Sequence, residues 1–368
     1  MFTLALKNLL SEKGRLVLGV AGVAFANTLI MFHVAMLLGT FSQITKHIEK
    51  TDADIWVLQE GLSDVTSSTS FVSGSNIEAI RKIDGVERVT GLFLYYTSVK
   101  IRQKVENVFL VGYDSESGVG GPWRLAKGKS NVEGDEIIMD ESLAKSEALD
   151  VGDEINISGH KLKIAGLSKE TSAVATQYIF ISKESVLDYL NLNNIYNYLL
   201  VSCRKRADIG GVLEEINRIK GVDAYTRQKL AENTLRFWGK FLVPLLTTLV
   251  IVSFLVGTTV IGIVVHNITL HKQKEYGILL ALGASSASVC AIVLWQGAFV
   301  GSSGFIGGAL ISAVAIHIAN DTIPGMTACL DHKVLAISIL LTWLMIMFST
   351  IAPLARILKT DPFEIFRG

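Results

Sequence analysis

Charge is scarce in this chain, and so is any cluster that could do chemistry. Only 18% of its 368 residues are Asp, Glu, Lys or Arg, against about 25% in an ordinary soluble domain. The 34 basic residues are matched by 34 acidic ones, for a net charge of +0. That balance excludes the basic excess of a nucleic-acid surface. The three cysteines, Cys203, Cys290 and Cys329, are too few and too scattered for a disulfide framework or a zinc site. Cys203 and Cys329 are the pair that could both lie outside the cytoplasm. No Gly-rich Walker loop is present, and no Ser/His/Asp, Cys/His or metal-spaced constellation is visible. An enzyme reading therefore has nothing to stand on.

Apolar sequence is what the chain has in abundance. Half of the residues are hydrophobic, and the mean hydropathy is +0.43. A membrane span needs about 20 apolar residues. Four segments qualify: 16–41, 241–265, 289–318 and 334–354. The first follows Lys7, Lys13 and Arg15 but is too long for a secretory signal, and no small-residue cleavage site follows it cleanly. Orientation follows the basic residues. His271, Lys272 and Lys274 follow the second span, and Arg356, Lys359 and Arg367 follow the fourth. The connection 320–333 has only Lys333 against Asp321 and Asp331. Both termini (1–15 and 355–368) and the loop 266–288 are thus expected in the cytoplasm, and 42–239 outside.

The outer segment reads differently from the rest. Strand-like runs such as Asp54–Leu58, Thr97–Ile101, Val108–Tyr113, Tyr178–Ile181 and Tyr198–Val201 alternate with short helical runs at 76–82, 142–148, 183–189 and 209–219. Asp84-Gly85-Val86 and Lys220-Gly221-Val222 each separate a helical run from a strand-like one. The repetition suggests two similar α+β units, before Tyr113 and after Val174, with a β-rich insert over 133–168. Residues 63–75 are low in complexity and predict a mobile loop. Residues 43–50 and 226–238, the latter with Phe237 and Trp238, read as a stalk. The expected fold is a membrane α-helical protein with four transmembrane helices and a large extracytoplasmic α+β domain inserted between helices 1 and 2.

Lys272 to Ala284 is the most informative stretch. A charged turn runs into a short amphipathic helix, with Glu275 as a polar anchor and Leu279, Leu280 and Leu282 available to a partner's groove. Gly283 suits a chain reversal. The alternative is a plain amphipathic loop on the lipid surface. In the third span Gly297, Gly301, Gly304 and Gly308 form small-xxx-small pairs that predict close helix packing, against spans two and four, within one subunit. His33 is a lone ionisable group in span one, expected to make an interhelical hydrogen bond rather than a proton relay. His47 and His160 are isolated.

Lys272, Glu275, Gly277, Ala281, Gly283 and Ala284, with Pro353, Ala355, Arg356, Lys359, Asp361, Pro362, Glu364 and Arg367, resemble the MacB/FtsX-like permeases of mechanotransmission-type ABC transporters. Ala5–Leu9 resembles the family's opening amphipathic helix, and Asp54–Val57 its first outer strand. Tyr276 departs from the usual aliphatic residue, and Lys272 from the usual Arg. The resemblance implies ATPase coupling through Lys272, Lys274, Glu275, Tyr276, Gly277, Leu280, Ala281, Gly283 and Ala284. It implies a separate ABC ATPase subunit carrying ATP and Mg, a homodimer in the cell membrane, and a periplasmic adaptor as a candidate partner. No cofactor is expected on this chain. The substrates it allows are a drug, haem, a lipid or lipoprotein, or a peptide. A haem reading would call on His33, Met36 or His47. The competing expectation is a signalling scaffold that regulates an outer partner such as a cell-wall hydrolase.

Overall fold

The computed structural model describes residues 2–101, 104–157, 159–173, 176–191, 194–322, 328 and 330–359. The chain opens with α1 (Phe2–Ser11), α2 (Lys13–Ile44) and α3 (Lys46–Lys50). Then come β1 (Ile55–Gln59), β2 (Val72–Ser73), α4 (Ser75–Arg81), β3 (Val86–Ile101) and β4 (Lys104–Tyr113). The middle holds β5 (Leu125–Gly128), β6 (Glu136–Asp140), α5 (Glu141–Ser146), β7 (Glu154–Ile157), β8 (His160–Ser168) and β9 (Ser172–Ala173). Next follow β10 (Thr176–Ser182), α6 (Lys183–Tyr189), β11 (Ile195–Tyr196), β12 (Tyr198–Cys203), α7 (Ile209–Ile216) and β13 (Val222–Thr226). Four helices close the chain: α8 (Arg227–His271), α9 (Gln273–Ala281), α10 (Ser286–Thr322) and α11 (His332–Lys359). Among the described residues α2, α8, α10 and α11 are long and apolar enough to cross a membrane.

Two compact units result, one built from the helical segments Met1–Leu38 and Leu242–Ala319 with α11, the other from Gly39–Phe241. In the helical unit α1 lays Ala5, Asn8 and Leu9 inward while Lys7 and Leu10 face out. That i, i+3, i+4 spacing is the stripe of an amphipathic helix. Ala5 and Leu9 join Val23, Ile261, Val265, Tyr276, Val289 and Met345 in one core.

The inserted unit is organised by a mixed sheet in the order β13-β1-β12-β3-β4-β10-β6-β8-β5, with β7 beside β8 and β9 beside β10. The two expected α+β units are both present, but they are not separate. The strands of the second, β12 and β13, flank β1 of the first, and β3 lies beyond β12. This is a split βαβ arrangement. Strands left in separate halves would expose unpaired edges, which interleaving removes. Gly85 and Gly221 start the strands after α4 and α7 with φ of 91° and 85°, a conformation that glycine alone adopts without steric cost. Beyond β4 the sheet continues through β10, which follows the insert and pairs parallel with β4, and the insert's β6 and β8 then extend it as a parallel pair.

The sheet is buried on both faces. Along β1, Ile55 and Val57 point into one core, and Trp56 and Leu58 into the other. Alternation by two follows from strand geometry. Residues 63–75 are pinned rather than loose. Asp64 accepts from the Thr66 and Ser67 amides. Tyr198 and Asn197 donate to the Val65 and Ser70 carbonyls, Trp238 Nε1 donates to Thr66 Oγ1, and β2 pairs with β11. Hydroxyls and carbonyls at that density give a polar run many anchors, a property that composition does not reveal.

Candidate functional site

The segment after α8 is a helix with two unlike faces. The expected charged turn is a single residue, because α9 begins at Gln273 and Lys272 is its N-cap. Lys272 Nζ lies 2.6 Å from Glu275 Oε1. This exposed i, i+3 pair holds the first turn for about 0.5 kcal/mol. The C-terminus closes with the Gly283 amide on Leu280 O and the Ala284 amide on Leu279 O, both at 3.0 Å. That is the Schellman pattern, and Gly283 at φ 95° supplies the left-handed residue it needs.

Tyr276 and Gly277 are buried, Leu279 and Leu280 pack on the helical core, and Ala284 is half-buried. Lys274, Glu275, Ala281 and Gly283 are exposed. So are Ile278, at 48%, and Leu282, at 80%. Of the three leucines expected to be available to a partner only Leu282 is exposed, because the helical twist turns Leu279 and Leu280 onto the bundle. Ile278, to which the leucine pattern does not point, is exposed on the same face, at i, i+4 spacing to Leu282.

Tyr276 explains its own departure from an aliphatic residue. Its hydroxyl receives Gln296 Nε2 at 3.1 Å and Asn8 Nδ2 at 3.4 Å. One phenol thereby ties α9 to α10 and α1, the amphipathic N-terminal helix. In a buried setting each such bond contributes about 1 kcal/mol, and removing one partner strands the others.

The small residues of α10 sit against two neighbours. A Cβ at Gly297 would meet Thr350 at 2.9 Å, and one at Gly301 would meet Ile346 at 2.6 Å, both on α11. At Gly304 it would meet Val23 at 2.5 Å, and at Gly308 Asn27 Cβ at 2.7 Å and Ala24 O at 2.8 Å, all on α2. The packing expected against spans two and four is therefore found chiefly against spans four and one, with span two represented by Val265 at 4.0 Å from the Gly297 position. Thr28 Oγ1 donates to Gly308 O at 3.3 Å. Glycine lets the backbones approach closely enough for such bonds. Asn27 Oδ1 also receives Thr342 Oγ1 at 2.7 Å. The hydrogen bond expected from His33 to another helix is instead local, with Nδ1 2.6 Å from Leu29 O one turn back.

Over residues 16–219 the chain matches the MacB-like periplasmic core domain family, and over 247–362 the FtsX-like permease C-terminal family. The chain is a permease of the MacB/FtsX family. It is 22% identical to an uncharacterized ABC transporter permease of Methanocaldococcus jannaschii, over all of this chain and 98% of that one. It is also 22% identical to a putative hemin transport system permease protein of Staphylococcus epidermidis, over 66% of this chain and 67% of that one. The solved periplasmic region of MacB from Actinobacillus actinomycetemcomitans aligns with 51% of this permease and 96% of its own length, at 12% identity and a TM-score of 0.40. Among its described residues the permease groups no three His, Cys, Asp or Glu side chains where they could hold a metal ion. Among the described residues Cys203 has no disulfide partner. Cys329, which could share the outer side with it, lies outside the described residues, as do Asp361, Pro362, Glu364 and Arg367.

His47, isolated in the sequence, is 3% exposed and packed against aromatic rings. Tyr178 stacks on it at 5.3 Å, and Trp56 and Trp123 lie 6.0 Å away. Neither ring nitrogen has a hydrogen-bond partner. Burial pushes its pKa from 6.5 down to about 4. The neighbouring cation is Lys46, on the ring of Trp123. No tertiary signal of this kind is visible in sequence, because the three aromatics come from β1, β10 and the segment before β5.

A pH dependence follows. The unfolded chain binds the His47 proton more tightly than the folded one, so stability is full near pH 7 and falls as pH drops from 6.5 toward 4. Between pH 7 and 5 the expected loss is about 2 kcal/mol. Denaturant unfolding at the two pH values should show it in the parent and not in His47→Leu. An equal loss in both would assign the effect to other groups.

Proposed function

We propose that this permease is the membrane subunit of an export complex of the mechanotransmission type, working as a homodimer with a separate ABC ATPase. The observation that carries the reading is the two-faced α9. Its outer face offers Ile278 and Leu282 among Lys274 and Glu275, and its inner face is fastened through Tyr276 to α1 and α10. An exposed apolar pair inside a charged rim suits docking into a partner's groove. The tie at Tyr276 suits transmission of a push to the bundle.

The cycle runs as follows. ATP and Mg act on the partner chain, whose closure displaces α9 from the cytoplasmic side. Tyr276 carries α1 and α10 with it. α8 conveys the movement outward, since it is one helix of 45 residues, about 68 Å long, that begins directly after β13. Pro244 lies within it and removes one helical hydrogen bond, a place for bending. The inserted domain, outside the membrane with both termini inside, then acts on a hydrophobic substrate at the outer surface, alone or through a periplasmic adaptor.

The test is affinity purification of the permease from its native membrane in mild detergents. An ATP-hydrolysing subunit should come with it, and its activity should rise with substrate. Copurification of an outer hydrolase with no ATPase would favour the signalling scaffold instead.

A further inference from the structure

The inserted unit holds a cavity of about 540 Å³ whose described lining residues all belong to that unit. His47 forms part of its wall, with Tyr96, Phe109, Tyr178 and Tyr198, and Trp238 stands at the rim beside Thr66. The size is that of a small-molecule site, where a mostly apolar wall carries a few convergent polar groups.

Three features define what would fit. The first is charge. None of the lining residues is Asp, Glu, Lys or Arg, and the imidazole is neutral at physiological pH. A carboxylate, sulfonate or ammonium entering here would lose its hydration with no counter-ion to replace it. The second is the aromatic wall. Tyr178 stacks on both His47 and Phe109, with centroids 5.3 Å and 5.6 Å away and planes inclined by 27° and 29°, and Tyr96 meets Phe109 edge-on at 5.3 Å. Flat π-systems pack on such faces in offset or edge geometry. The third is the unpaired imidazole, a donor and an acceptor whose bonds the protein leaves unmade. Thr66, Ser67, Ser68 and Thr69 add hydroxyls at the mouth, the first two residues held in place by Asp64.

The geometry points to this cavity as a binding site for an uncharged aromatic small molecule bearing one polar N–H or O–H group, which His47 receives. It deepens the export reading by naming a substrate class, and rests on that reading only for the meaning of the binding. Haem fits poorly, because its two carboxylates would find no cation among the lining residues.

Two probes of one ring system separate the possibilities. N-phenyl-1-naphthylamine is uncharged and carries one N–H. 8-Anilinonaphthalene-1-sulfonate adds a fixed negative charge. The full chain in lipid nanodiscs, without ATPase, is titrated with each, and energy transfer from tryptophan is read against empty nanodiscs. The uncharged probe should saturate, and the sulfonate should bind at least about tenfold more weakly. His47→Phe keeps an aromatic ring but removes both nitrogens, and should weaken the uncharged probe about tenfold, while His47→Gln retains most of the affinity. Ser68→Phe, at an exposed position of the mouth, should block binding and does not depend on the core tolerating a change. No saturable signal above empty nanodiscs overturns the proposal. So does equal binding of the sulfonate, an unchanged affinity in both His47→Phe and Ser68→Phe, or a hemin Soret shift that His47→Phe abolishes. Probe binding without ATPase capture would sink the export reading alone, and capture without binding would sink this one alone.

Discussion

Replacing Ile278 and Leu282 together by Glu should abolish capture of the ATPase subunit while leaving the permease folded. Ile278 is about half exposed and Leu282 largely so, so the change removes little core packing. It places two carboxylates beside Glu275 on the face proposed to enter a partner's groove. Apolar anchors at the centre of an interface cost about 1–3 kcal/mol each when lost. Two together should lower affinity by at least about thirtyfold. The comparison that gives this meaning is Leu280→Glu, which strikes the face packed on the bundle and should instead lower thermal stability. Copurification from membranes, with circular dichroism of each variant, reads both effects. Undiminished capture by the double variant would show that the ATPase docks elsewhere and leave α9 as a surface helix at the lipid boundary.

Gly308→Leu should destabilise the permease by about 3 kcal/mol or more. A Cβ at this position would lie 2.8 Å from Ala24 O and 3.2 Å from Thr28 N. These are backbone atoms of α2 and cannot step aside as a side-chain tip can, so the two helices must part. Separation would also break the bond from Thr28 Oγ1 to Gly308 O and the one from Ser312 Oγ to Thr28 O, each 3.3 Å long. Gly262→Ala is the matched control. Its nearest neighbour would be Ser349 O at 3.5 Å, an ordinary contact, and the gain in helix propensity is about 0.5–1 kcal/mol. Thermal unfolding in one detergent should therefore move the two variants in opposite directions. A neutral Gly308→Leu would mean that α2 and α10 are not in close contact in the membrane.

Several elements could be read along the chain because their cause is local. Helices α2, α8, α10 and α11 announce themselves by length and uniform apolarity. The repeated helix–Gly–strand passages at Gly85 and Gly221 are visible because a positive φ demands glycine at one position. Gly283 closes α9 for the same reason. The face of α9 was only half legible. Three leucines within four residues look alike in sequence, and the tertiary contacts of Leu279 and Leu280 decide that Leu282 and Ile278 remain outside.

Other features depend on which distant segments meet. Tyr276 looks like a substitution of no consequence until Asn8, 268 residues away in sequence, reaches its hydroxyl. The interleaving of β12 and β13 around β1 depends on strand pairing across more than 140 residues, for which alternation along each strand gives no register. His33 and His47 are both lone histidines in sequence. One bonds to its own helix, and the other lies among rings from three separate parts of the chain, in the wall of a cavity.

The sequence by itself determined the spans, the large insertion after the first of them and the short two-faced helix after the second, because hydropathy and glycine act on the residues where they stand. The tertiary structure decided the exposed face of that helix, the Tyr276 tie and the cavity around His47, because burial and hydrogen bonding are properties of neighbours that the chain brings together only on folding.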